Sequence, residues 1–120
     1  MNVQESTKLR HAMRAMVIEG IDEQDLNQGQ TKENYISTRF TGEMTCGYNQ
    51  ARNYQAVVID WLQGLALHVL FWNDDIVTFY EDTFGRPLSD KEREKEVNLY
   101  WSRLSMVVMK MIRVGGCGNI

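Results

Sequence analysis

The sequence predicts a mainly α-helical protein, a compact bundle of three long helices and one or two short ones, and three observations carry that expectation. Apolar residues recur at helical spacing over several long segments. Strand-like alternation is scarce, and Pro87 is the single proline. Helix start and stop residues also bracket the periodic segments in a consistent order. With 120 residues the chain has room for one domain, 1–120, and for a core that needs neither metal nor disulfides.

The first helix is expected from about Gln4 to Glu19. Leu9, Ala12, Met13, Met16 and Val17 fall on one face, Lys8, Arg10, His11 and Arg14 lie opposite, and Gly20 is a plausible stop. Residues 21–50 carry weaker signals. Asp22 can cap a short helix whose first turn is acidic, and Gln28 to Asn34 is polar enough for a loop. Tyr35 to Phe40 (YISTRF) is β-branched and aromatic, which predicts a short extended segment near 35–40.

From about Asn49 to Phe71 the chain is apolar over most of a helical circumference. Asn53, Asp60, Gln63, Gly64 and His68 form a narrow polar stripe at about 100° per residue. Such a helix asks to be packed on several sides, so the expectation is that it is central. Asn73 is the expected cap of the next helix, with Asp74 and Asp75 in its first turn and Gly85 and Pro87 ending it. Ser89 and Glu92 then form a capping-box pattern that opens a last helix running to about Val114, before Gly115 and Gly116.

The net charge of −3, from 13 basic and 16 acidic residues, argues against a protein that lives by wrapping nucleic-acid backbone. The charge is uneven, however. Residues 73–84 hold Asp74, Asp75, Glu81 and Asp82 with no base, while 86–113 hold seven bases against four acids. Two cysteines, Cys46 and Cys117, are too few for the disulfide framework of a small secreted domain. No apolar run is long enough for a signal peptide or a membrane span, so a cytoplasmic location is expected by elimination.

Chemistry is thinly signalled. Cys46 before a predicted helix has the setting of a lowered thiol pKa, and His68 is the base it would need. No third group orients the pair, and a cysteine near a helix start is more often a small packed hydrophobe. Cys46, Cys117, His11 and His68 show no metal-ligand spacing, and no cofactor motif occurs. Asp74–Asp75 and Glu81–Asp82 are explained by helix capping and a solvated face. The stretch 74–114 superficially resembles two helices joined by a turn. The alternating charges of Asp90 to Glu94 are ill-suited to a DNA-reading helix.

The last helix holds the main anomaly. Val97, Tyr100, Trp101, Leu104, Val108, Met111 and Ile112 make a core face, and Asn98, Ser102, Arg103, Lys110 and Arg113 make a polar one. Leu99, Met106 and Met109 fall into that polar sector. Methionines and leucine rimmed by cations suit a contact surface, although covering them internally is the commoner solution. The expectation drawn is a non-enzymatic protein-binding module, an inhibitor or adaptor of the size that phages and plasmids carry. It would hold a protein partner, or a second copy of itself, through Leu99, Met106, Met109, Arg103, Lys110 and Arg113. The alternative is a nucleic-acid regulator using Lys8, Arg10, His11 and Arg14.

Overall fold

The computed structural model describes residues 1–40 and 50–112, and these form five α-helices and one 3-10 turn, with no strand among the described residues. The all-α expectation holds. Helix α1 spans Val3–Glu19, α2 Lys32–Thr38, α3 Gln50–Gln63, α4 Asn73–Phe84 and α5 Asp90–Met111. None is long and apolar enough to cross a membrane among the described residues.

Local chemistry explains most boundaries. Asn2 caps α1 by accepting from the Glu5 amide at 2.8 Å, and the Glu5 carboxylate accepts from the Asn2 amide. Asp22 caps the 3-10 turn Glu23–Asp25 through the Gln24 amide. Ser89 and Glu92 form the expected capping box at the start of α5. Gly85 ends α4 in the left-handed region at φ 71°, where a Cβ would be strained.

Several expectations need correction. Tyr35–Phe40 is not extended, since α2 runs through Thr38. Thr31 caps it by accepting from the Asn34 amide, and Ile36 on its inner face is fully buried, so burial and capping outweigh β propensity. The apolar segment 49–71 is not one helix, because α3 stops at Gln63. The Gly64 amide there bonds to the carbonyls of both Asp60 and Trp61, and the chain continues in tight turns in which Leu65 bonds to Leu62 and His68 to Leu65. Asn73 is not the cap of α4: Trp72 holds that position and makes no side-chain cap bond.

Nor is α3 central. It buries one stripe, Tyr54, Val58 and Leu62, while Val57 is 41% exposed. The hub is α5, which packs against each of the other four helices. Its Tyr100, Leu104 and Val108 are fully buried, together with Ser105, whose hydroxyl accepts from the Gln55 amide group of α3 at 3.0 Å.

Candidate functional site

The two surfaces read separately in the sequence, one on the first helix and one on the last, are a single surface in the fold. Helices α1 and α5 pack side by side, and a cavity of about 330 Å³ opens along their seam. Leu9, Met13, Leu99, Met106 and Val107 supply its apolar lining. Arg10, Arg103 and Lys110 stand around it. A second hollow of about 590 Å³, reaching to α2, adjoins it and shares Arg10, Val107 and Lys110. His11, Arg14, Met111 and the α2 residues Glu33, Asn34 and Ser37 complete that second hollow.

Of the residues expected on the last helix, the structure therefore brings Leu99, Met106, Arg103 and Lys110 together. Met106 is open, at 47% exposure, and Leu99 is half-buried. Met109 is not part of this groove; it is half-buried and packs against the core. Arg113 lies outside the described residues, as do Cys46 and Cys117. On the first helix, Arg10, His11 and Arg14 join the groove, whereas Lys8 is exposed and lines neither hollow.

The cations are unequal. Arg103 is committed to Glu96, with Nε at 2.9 Å from Oε2 and a terminal nitrogen donating to Oε1 at 3.2 Å. Glu96 is buried, a placement its charge alone does not predict, and Arg103 compensates it. Burial, and next the Glu96 charge, push the Tyr80 hydroxyl well above its usual pKa. Arg10 donates to the Thr7 hydroxyl at 3.3 Å. Among the described residues Arg10, Arg14 and Lys110 form no ion pair, so the groove has a net positive rim facing one acid, Glu33.

A clamp at one end fixes the two walls. Arg86, in the α4–α5 turn, binds Glu5 of α1 at 2.6 and 3.0 Å and Glu92 of α5 at 2.8 and 3.0 Å. Hydrogen bonding to Arg86 holds the Glu92 carboxyl down to about 2 and lowers that of Glu5. Glu81 accepts from the Leu88 amide at 2.7 Å, so this acid closes the turn rather than pairing with another carboxylate. The clamp has no local signature, because Glu5 and Arg86 lie 81 positions apart.

No family model, curated protein or solved structure significantly matches the chain. The chemistry of the surface must therefore be read from its own atoms. Among the described residues no group of three or more His, Cys, Asp or Glu side chains could hold a metal ion. His68 stands on an exposed turn, packed by its Cβ against Gly20; a Cβ added at Gly20 would lie 2.9 Å from it. The groove offers apolar contact and positive charge on walls that are already positioned.

Proposed function

We propose that the protein is a non-enzymatic binding module whose α1–α5 groove docks an acidic, amphipathic protein segment. The observation that carries this reading is the merging of the two candidate surfaces: Leu99 and Met106 lie in the same groove as Arg10 and Lys110. Apolar side chains would dock on Met106 and Leu99, and carboxylates would meet Arg10, Arg14 and Lys110. Methionine suits such a seat because its thioether chain adapts to differently shaped partners. A nucleic-acid backbone would use the cations and leave the apolar lining without a partner, and the net charge of −3 opposes it at long range.

Fluorescence anisotropy separates the two ligands. A labelled helical peptide with a leucine seam flanked by glutamates should bind saturably. Met106→Glu and Lys110→Glu should each weaken it by roughly tenfold or more, a change of about 1.4 kcal/mol. A labelled short DNA duplex should bind more weakly than the peptide at the same salt. Tighter binding of the duplex, lost in Arg10→Gln and Arg14→Gln, would instead establish the nucleic-acid reading. Failure of both probes overturns the groove as a docking site.

A further inference from the structure

Among the described residues, three exposed large apolar side chains outside the groove cluster in the connection between α3 and α4. Leu67 is 94% exposed, Trp72 75% and Phe71 41%. Single exposed hydrophobes need no explanation, but three within one short connection do. This connection is anchored. Val69 is buried, and the Leu70 amide donates to the Tyr100 hydroxyl at 3.1 Å. That hydroxyl donates in turn to the Met16 sulfur at 3.7 Å, and the Phe71 ring packs on Trp101 with centroids 5.3 Å apart. Leu67 and Trp72 are thus displayed from a fixed backbone, which lowers the ordering cost of docking them.

Acids surround this corner. Leu67 lines a cleft together with Asp22, Glu23 and Asp25, which outnumber the one lysine there, Lys32. Asp74 and Asp75, both exposed, follow Trp72 directly in the first turn of α4. The corner is therefore itself an acidic, apolar surface, the chemistry that the α1–α5 groove is built to receive. We infer that the groove of one copy seats the Leu67–Trp72 corner of a second copy, so that the protein associates with itself head to tail. This rests on the groove being a docking site and adds the identity of an occupant.

Charge selects this arrangement over the symmetric ones. Corner against corner would set Asp74 and Asp75 of two copies facing each other, and groove against groove would oppose Arg10, Arg14 and Lys110. Only corner against groove pairs opposite signs while covering apolar groups on both sides. Such a contact is heterologous, leaving one groove and one corner free in each pair, so assembly proceeds past the dimer to a ring or an open chain.

Sedimentation velocity on the full chain tests this. The wild type should show mass rising beyond the dimer with concentration, and the assembly should weaken at about 1 M salt, where the Debye length is near 3 Å. A corner variant, Leu67→Ser with Trp72→Ser, should stay monomeric, and so should a groove variant, Met106→Glu with Lys110→Glu. Mixed in equal amounts, the two should form a discrete heterodimer, because one intact corner meets one intact groove and neither end can extend. Circular dichroism checks that both variants are folded; should the groove pair unfold the chain, Lys110→Glu with Arg14→Glu replaces it at exposed positions. A wild type that stays monomeric throughout, or a mixture of folded variants that does not pair, overturns self-docking. Either result leaves the peptide titration free to decide on the groove itself.

Discussion

Helices α3 and α5 invert the ranking that their composition suggests. The segment carrying α3 is rich in apolar residues, yet among its described side chains the helix fully buries only the stripe Tyr54, Val58 and Leu62 and leaves Val57 in solvent. Helix α5 opens with a run of charges, yet touches every other helix and buries Tyr100, Leu104, Ser105 and Val108. Placement follows where the apolar groups lie around the axis and what neighbouring elements need, rather than how many there are. The surplus on the α3 side spills into the following connection, where Leu67 and Trp72 become surface.

Several substitutions would break or sharpen this contrast. Leu104→Ala removes a fully buried side chain from the hub and should cost about 3 kcal/mol in chemical denaturation. A loss well under 1 kcal/mol would show that α5 is not the centre. Arg86→Met should lower the melting temperature by releasing the first turns of α1 and α5 from each other, and its effect should depend on pH. Glu5 and Glu92 have depressed pKa values when folded, against an ordinary 4.5, so their stabilisation is present above that value and is lost as pH falls towards 2. Thermal melts of the wild type should therefore decline over that window, and those of Arg86→Met should decline less steeply. Parallel curves would mean the clamp does not set acid stability.

Ser105→Ala tests the polar tie between the two helices. It deprives the Gln55 side chain of its acceptor and should cost about 1 kcal/mol, measurable in the same denaturation assay. Val57→Ser should change stability by no more than about 0.5 kcal/mol, because its site on α3 is open to solvent. A cost comparable to that of Leu104→Ala would show that α3 is packed on a second side, at Val57.

How much of this was legible follows from the range of each interaction. Ser89 with Glu92, Asp22 with Gln24 and Gly85 after α4 act within a few residues, and their pattern announces them. The 35–40 segment misled because Ile36 is helical for the sake of a core that its neighbours in sequence do not reveal. Gly64 stood in plain view, but an apolar run on both sides masked it as a stop. In the candidate site, Leu99 and Met106 were visible as apolar residues in a polar sector, and Arg10 and Arg14 as a basic face. Their union was not visible, because it depends on α1 lying against α5. Met109 failed to join them for a related reason: it stands about 60° around the helix from Met106, towards the packed side. Glu96 and Glu5 were hidden as buried acids, since their arginine partners are supplied by the fold.

The most direct measurement is the methyl NMR signal of Met106, in protein labelled at the methionine methyl carbons, followed over a range of protein concentrations. The account predicts that this signal shifts as concentration rises, that the shift vanishes in Trp72→Ser, and that added acidic amphipathic peptide reproduces it there. A Met106 signal indifferent to both concentration and peptide would contradict it.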